Sequence, residues 1–168
     1  MIPVLTAEQV RKADAHTIEH EPITSIDLME RAAGACAAWL AQRFTAKASY
    51  LVLAGCGNNG GDGLAVARIL AAAGSEVRVY LCRYRQELSS NGRINLERLS
   101  GIGVKVLDLT DGSTPPTPTD NEVVIDALLG TGLDRPVGGW LKHVVMTLNS
   151  WPNEVVSIDL PSGLFAED

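Results

Sequence analysis

The chain has 168 residues, of which 46% are hydrophobic but only 5% aromatic, and this composition predicts one domain, 1–168, with an aliphatic core. The formal net charge of −6 and the absence of a basic run exclude nucleic acid as the main partner. No apolar run reaches the ~18 residues of a membrane span, and the early proline and charges of the N-terminus are unlike a secretory signal. The three cysteines lack metal-ligand spacing, so we expect reduced thiols and a cytoplasmic protein without a membrane partner.

Two helices are predicted before the first strand. Thr6 and Gln9 form a capping-box pattern that begins a helix ending near His20, and Pro22 then interrupts helical structure. Apolar spacing predicts a second helix over 26–44. The centre of this helix, 32–38, has almost no side-chain bulk, so another helix or a second subunit could approach it closely. We therefore predict a homodimer.

From Ser49 onwards, strand patterns alternate with helix patterns. Near-continuous aliphatic runs such as 123–125 are typical of parallel strands covered on both faces. The alternation predicts a doubly wound α/β fold with a mostly parallel, Rossmann-like sheet and two extra N-terminal helices. The predicted strands are 50–54, 76–82, 104–107, 122–126 and 154–159, and the predicted helices are 62–73, 88–100 and 139–149.

Three of the predicted strands end in segments with unusual chemistry. The first runs into the sequence GCGNNGGDG, the fourth ends at Asp126 before ALLGTGLDRP, and the fifth ends at Asp159 before LPSG. A glycine-rich turn between a strand and a helix is a common phosphate site, but two asparagines and Asp62 are unusual there. Ligands of such sheets bind outside the carboxyl ends of the strands, so we expect these segments to share one crevice.

The glycine-rich segment also satisfies the dinucleotide fingerprint G-x-G-x-x-G. A classical dehydrogenase needs an acidic residue at the end of the next strand to bind the ribose hydroxyls. Here that strand runs into Arg83, Tyr84 and Arg85, which suit either a 2′-phosphate or an ordinary charged surface. The two helices that precede the motif weaken the dehydrogenase interpretation further.

Asp126 and Asp159 have two interpretations. Each could simply cap a turn, but two carboxylates at neighbouring strand ends could also act as an acid and a base. Together with Asn59 and the hydroxyl of Ser162, they offer only oxygen ligands. Oxygen ligands favour a hard cation over zinc or copper.

Three segments of the sequence resemble the YjeF N-terminal domain family, the NAD(P)H-hydrate epimerases. They read GCGNNGGDGLAVAR, VVIDALLGTGLDRPVGG and SIDLPSGL. The opening, LTAEQVRKADAHTIEHEPITSIDLMERAA, is similar to the two leading helices of that family. The resemblance runs from about Leu5 to Leu164.

The resemblance implies an isomerase of nicotinamide nucleotide repair, which interconverts the R and S epimers of NADH or NADPH hydrated at C6 of the nicotinamide ring. It implies a potassium ion bound by Asn59, Asp126 and Ser162, and a dinucleotide substrate. The implied substrate-binding residues are Asn58, Asn59, Gly60, Gly61, Asp62, Gly130, Thr131, Gly132, Leu133, Asp134, Arg135, Pro136 and Asp159. We expect Asp126 or Asp159 to transfer the proton to and from the C6 hydroxyl.

The family resemblance leaves several questions open. Relatives continue beyond the DLPSG motif, often into a fused ADP- or ATP-dependent dehydratase, so we expect a truncated domain: a fragment of a longer protein or a shorter sheet. The main alternative function is a nucleotide- or protein-binding module that keeps this fold without catalysis. A classical dehydrogenase is a third hypothesis. The preference between hydrated NADH and hydrated NADPH stays open.

Overall fold

A computed structural model describes residues 5–45 and 48–166 of the chain. Two helices come first, α1 (Ala7–His20) and α2 (Ser25–Arg43). The predicted capping box begins α1: the backbone N–H of Gln9 donates to the Thr6 hydroxyl at 3.2 Å, and the Thr6 N–H donates to the Gln9 side chain at 2.8 Å. No helix in the described ranges is long and apolar enough to cross a membrane.

The rest of the chain forms a five-stranded parallel sheet between helices. Its order is β3-β2-β1-β4-β5, so the winding direction reverses between β1 and β4. This arrangement confirms the doubly wound α/β fold predicted from the sequence. The strands are β1 (Ser49–Ala54), β2 (Val77–Cys82), β3 (Val106–Leu109), β4 (Glu122–Ala127) and β5 (Val155–Ser157), and the helices are α3 (Asn58–Ala72), α4 (Ser90–Gly101) and α5 (Gly139–Ser150).

Alternate residues of the central strands pack into two apolar clusters, one on each face of the sheet. On β1, Val52 faces the cluster formed with α2, α3 and α4, whereas Leu53 faces the cluster formed with α5. Both side chains are fully buried. The sheet is therefore covered on both faces, as the continuous aliphatic strands predicted.

Several elements differ from their predicted boundaries by one to four residues. Helix α3 begins at Asn58 rather than at 62, so the second half of the glycine-rich segment is helical. The Gly61 N–H donates to the Gly57 carbonyl at 3.1 Å and closes the first turn. Strand β5 ends at Ser157, two residues before Asp159, and β3 lies two residues later than predicted. Glycine-rich sequence is typical of loops, but close packing can hold it in a helix.

The small-residue face of α2 packs within the chain. Ala33 and Ala37 are buried at 1% and 3% exposure, and α2 packs against α3. The predicted close approach of a neighbouring helix is thus made by α3. The homodimer stays a prediction.

Candidate active site

The candidate site lies where the winding of the sheet reverses. Ala54 at the end of β1 is paired with Ala127 at the end of β4, and the Gly55 N–H donates to the Ala127 carbonyl at 2.9 Å. A cavity of about 790 Å³ opens beyond these two strand ends, within the size range of ligand pockets. Its walls come from α1, α2, the beginning of α3, the 128–138 segment and Asp159.

The start of α3 forms one wall of this cavity. Asn58, Asn59 and Asp62 all line it, whereas Gly60 and Gly61 are buried behind it. A β-carbon at Gly60 would collide with the carbonyl of Gly55. Gly60 therefore lets the helix approach the end of β1 closely, and the two buried glycines support the wall without facing the cavity.

The predicted substrate segment after β4 forms another wall. All seven of its residues line the cavity: Gly130, Thr131, Gly132, Leu133, Asp134, Arg135 and Pro136. Asp159 holds this segment, because the Thr131 N–H donates to its Oδ2 at 2.7 Å. A β-carbon at Gly130 would lie 2.5 Å from the same Oδ2 and 3.2 Å from the side chain of Asn59. Only glycine leaves room for this contact between α3, the 130–136 segment and Asp159.

Asp159 itself has a positive φ of 68°. Left-handed backbone is uncommon outside glycine, although aspartate tolerates it better than most residues. The turn places its exposed carboxylate against the 130–136 segment. Strained backbone of this kind is concentrated at functional sites, and here it orients a predicted site residue.

Asp126 is buried, with 2% exposure, and lies outside the cavity wall. Its Oδ1 accepts hydrogen bonds from the Ser162 hydroxyl at 2.6 Å and the Leu128 N–H at 3.2 Å. Its Oδ2 accepts from the Ser162 N–H at 2.8 Å and the Ser157 hydroxyl at 3.1 Å. The carboxylate thus joins the ends of β4 and β5 and fixes the position of Ser162.

A second polar group of the site, the side chain of Asn59, has no hydrogen-bond partner among the described residues. Both side-chain atoms of Asn59, Oδ1 and Nδ2, are buried without a hydrogen bond to any described residue, which costs ~1–3 kcal/mol for each such group. Asn59 borders Gly130, and the Ser162 hydroxyl accepts from the N–H of Leu129 next to it at 2.9 Å. The amide oxygen of Asn59, the Ser162 hydroxyl and the Asp126 carboxylate are oxygen ligands of the kind that suits a hard cation.

The nature of this donor set matters for the metal it could hold. In the described ranges, no group of three or more His, Cys, Asp or Glu side chains is placed to bind a metal. A cation at the strand ends would therefore depend on the amide of Asn59 and the hydroxyl of Ser162 as well as the Asp126 carboxylate. These are the residue types implied by the family resemblance, and they fit the ion.

Asp62 is the site residue with the most perturbed ionisation. Burial raises its pKa, the carboxylates of Asp159 and Asp14 raise it further, and the result is a pKa of about 7. Burial and the charge of Asp62 in turn raise the pKa of Cys36 on α2. The sequence predicted Asp62 as a substrate contact only, because its neighbours Asp14 and Asp159 are far away along the chain.

Besides Arg135, two further cations of the site come from parts of the chain that the resemblance did not single out. Arg11 on α1 and Arg85 after β2 line the cavity. Arg83 instead makes an ion pair with Asp108 at 2.7 Å. Of the two arginines considered for a 2′-phosphate, only Arg85 is therefore placed to contact a ligand in the cavity.

Comparisons with known proteins identify the family. The model of the family described as "YjeF-related protein N-terminus" matches residues 25–168. An NAD(P)H-hydrate epimerase of Oenococcus oeni is 36% identical over 165 residues, which cover 98% of this chain and 76% of the relative. A bifunctional NAD(P)H-hydrate repair enzyme of Salinibacter ruber is also 36% identical over 178 residues, but only 33% of its length is covered.

A solved structure agrees with this assignment. The crystal structure of yeast ynu0 matches with a TM-score of 0.78 at 25% identity, over 96% of this chain and 72% of the yeast chain. The family match over residues 25–168 includes the three sequence segments that contribute to the cavity wall. This chain belongs to the YjeF-related N-terminal family.

Proposed function

We propose that this chain is an NAD(P)H-hydrate epimerase, which interconverts the R and S forms of NADH or NADPH hydrated at C6. The observation that supports this most is the convergence of the three family segments on one cavity at the reversal point of the sheet. Relatives of this family named as epimerases match nearly the whole chain. The reaction would make the damaged nucleotide available for repair.

The substrate would lie between the start of α3 and the 130–136 segment. Asn58, Asp62 and Asp159 line this part of the cavity and offer hydrogen-bonding groups for ribose or nicotinamide substituents. Gly60 and Gly61 would contribute through close packing, since they are buried behind the wall. Such pre-formed positioning of a substrate lowers the entropic part of a reaction barrier.

Potassium would be bound by Asn59, Asp126 and Ser162. The Ser162 hydroxyl lies 3.3 Å from the Leu129 carbonyl, so its hydrogen can turn away from Asp126 and free a lone pair on each oxygen for a cation. When bound, the ion would supply a fixed positive charge that favours polar groups of the substrate. The Oδ1 of Asn59 would gain the partner that it lacks among the described residues.

The reaction breaks and remakes the C6–O bond. C6 is bonded to the ring nitrogen N1 and to a hydroxyl, so the lone pair of N1 can expel the hydroxyl once that oxygen is protonated. Asp159 lines the cavity and is one candidate for this proton transfer. Asp126 has four hydrogen bonds and no place on the cavity wall, so we assign it to the cation and to the position of Ser162.

An epimer-exchange assay by NMR tests the proposal. Starting from one epimer, the wild-type chain should bring the resonances of the two epimers to their equilibrium ratio in the presence of potassium. Asp159→Asn should slow exchange strongly and stay folded, whereas Asp108→Asn, a half-exposed carboxylate on β3, should behave like wild type. Wild-type-like exchange in Asp159→Asn would remove Asp159 from the chemistry.

The same assay separates the enzyme from a binding module on this fold. NAD(P)-type ligands that raise the melting temperature without any epimer exchange would favour the module. Several relatives are bifunctional repair enzymes, so we further propose that a dehydratase, fused or separate, consumes one of the two epimers. A coupled assay with such a dehydratase should turn over the whole epimer mixture only when this chain is present.

A further inference from the structure

We propose that Asp62, rather than Asp159, is the general acid–base of the epimerase reaction, donating a proton to the C6 hydroxyl as it leaves and recovering one from the water that adds. This inference rests on the proposed function and deepens it. It assigns a catalytic role to a residue that the family resemblance implies only as a substrate contact.

The hydrogen-bond partners of the three site carboxylates distinguish their roles. Asp126 is buried, and its two carboxylate oxygens accept four hydrogen bonds. The Oδ2 of Asp159 is held by the Thr131 N–H at 2.7 Å. Asp62 is half-buried in the cavity wall, and no donor among the described residues contacts its carboxyl group. A carboxyl group without donors is free to hold a proton and give it to a ligand.

The charged groups around Asp62 favour its protonated form. Asp159 faces it from the strand-end turn, Asp14 faces it from α1, and Cys36 lies beside it on α2. Arg11 on α1 also lines the cavity, but it is not among the groups that shift the pKa of Asp62. Burial first, and then Asp159 and Asp14, raise the pKa of Asp62 to about 7, which is the value that serves an acid and a base equally well at neutral pH.

The remaining charged or titratable groups on the cavity wall lie on other segments. Arg85 and Tyr84 follow β2, and Asp134 and Arg135 belong to the segment after β4. Asp134 and Arg135 pair with each other at 3.2 Å and are highly exposed. None of these four side chains contributes to the raised pKa of Asp62.

The proposed step conserves atoms and electrons. The Asp62 carboxyl group gives its proton to the C6 hydroxyl, the C6–O electron pair leaves with the oxygen as water, and the N1 lone pair forms an N1=C6 double bond. Water then adds to either face of C6, the π pair returns to N1, and the Asp62 carboxylate takes the proton of the added water. Addition to the opposite face yields the other epimer.

Asp62→Asn tests the proposal, with the full chain, hydrated NADH and potassium. We expect exchange at least ~100-fold slower than wild type, together with a thermal shift by NAD⁺ that stays measurable and so shows an intact fold and cavity. Wild-type exchange in water enriched in ¹⁸O should place ¹⁸O at C6 at the rate of epimerisation. Loss of an acid–base group is expected to slow exchange ~100-fold. If Asp62→Asn instead exchanges the epimers within about threefold of the wild-type rate, well short of that loss, the role of Asp62 is overturned. The epimerase proposal would still stand.

Two further readouts separate catalysis from a structural effect. The pKa of Asp62 in the folded chain is raised above its unfolded value of 3.8. Its contribution to the free energy of unfolding is therefore fully present below pH 3.8 and is lost as the pH rises towards about 7. Asp62→Asn should abolish this decline. Asp14→Asn should lower the midpoint of the wild-type pH–rate profile, because it removes one of the charges that raise the pKa of Asp62.

The outcomes identify which proposal fails. No epimer exchange by the wild-type chain would overturn the epimerase proposal and this inference together. If Asp62→Asn does not fold, the Asp14→Asn profile decides: an unchanged midpoint overturns the role of Asp62, and an acidic shift supports it.

Discussion

Replacing Asp126 by asparagine tests the best-defined contact network of the site. The substitution keeps the shape of the side chain but turns one acceptor oxygen into an NH₂ donor. The Ser157 and Ser162 hydroxyls can rotate to accept from this donor, but the backbone N–H groups of Leu128 and Ser162 cannot. Either orientation of the amide therefore leaves one backbone N–H facing another donor.

The least costly orientation determines the expected loss of stability. The NH₂ group replaces Oδ1 and gives up the longer contact, 3.2 Å from Leu128 N, while the shorter one, 2.8 Å from Ser162 N, is kept. One buried N–H without an acceptor costs ~1–3 kcal/mol, which lowers the melting temperature by about 2–4 °C per kcal/mol. Asp126→Ala removes the acceptors of both N–H groups and should cost about twice as much.

Calorimetry in potassium chloride and in sodium chloride of equal ionic strength measures both effects. Wild type should melt higher in potassium chloride, and Asp126→Asn should lose most of this difference because the cation loses a charged ligand. If Asp126 acts only through the ion, epimer exchange by the variant should recover in part at high potassium. Asp108→Asn is the matched control, since a surface ion pair is worth only ~0–1 kcal/mol. Equal melting temperatures for Asp126→Asn and wild type would refute the contact network.

Other parts of the structure give three further predictions. Gly130→Ala should abolish the thermal shift by NAD⁺ because the new β-carbon would displace the Asp159 carboxylate. Gly132→Ala is the control and should keep that shift, since a β-carbon there meets open space. Equal thermal shifts for both variants would contradict the close contact between Gly130 and Asp159. Arg85→Ala should weaken binding of NADP⁺ more than NAD⁺ in a titration if the cavity wall receives the 2′-phosphate, and an equal loss for both would exclude that role. Burial alone would raise the pKa of Glu122, but hydrogen bonds from Arg78 and a backbone amide outweigh burial and lower this pKa. The ion pair between Arg78 and Glu122 therefore stabilises the fold above pH 4.5, and this stabilisation is lost as the pH falls through the lowered pKa. Arg78→Ala should lower the free energy of unfolding by about 2 kcal/mol at neutral pH, less than the loss of a fully buried ion pair because Arg78 is partly exposed. An unchanged midpoint of denaturant unfolding would refute this contribution of the ion pair.

The amino-acid sequence determined the order of elements and the kind of site. Aliphatic runs separated by helical spacing predicted the parallel sheet, and the Thr6 and Gln9 pattern predicted the start of α1, because both signals depend on neighbours a few residues apart. The polar segments at strand ends predicted one shared crevice. Asn59 and Asp159 do line the cavity found there.

Only the tertiary structure decided how the site residues differ from one another. Helix α3 begins at Asn58 because Gly60 packs on the backbone of Gly55, a contact that local propensity does not include. Asp126 and Asp159 look alike in sequence, yet one is buried among donors and the other is exposed on the cavity wall. A strand end is visible in sequence, whereas the direction of its side chain depends on what packs beside it.

Asp62 shows most clearly the difference between what the sequence determines and what the tertiary structure determines. Its position after two asparagines and two glycines was evident from the sequence, and so was its place near a helix start. Its raised pKa arises from burial and from the carboxylates of Asp14 and Asp159, which come from α1 and from the turn after β5. Electrostatic interaction depends on distance in space and on the surrounding dielectric, and the fold sets both by bringing together three segments that are far apart in the chain.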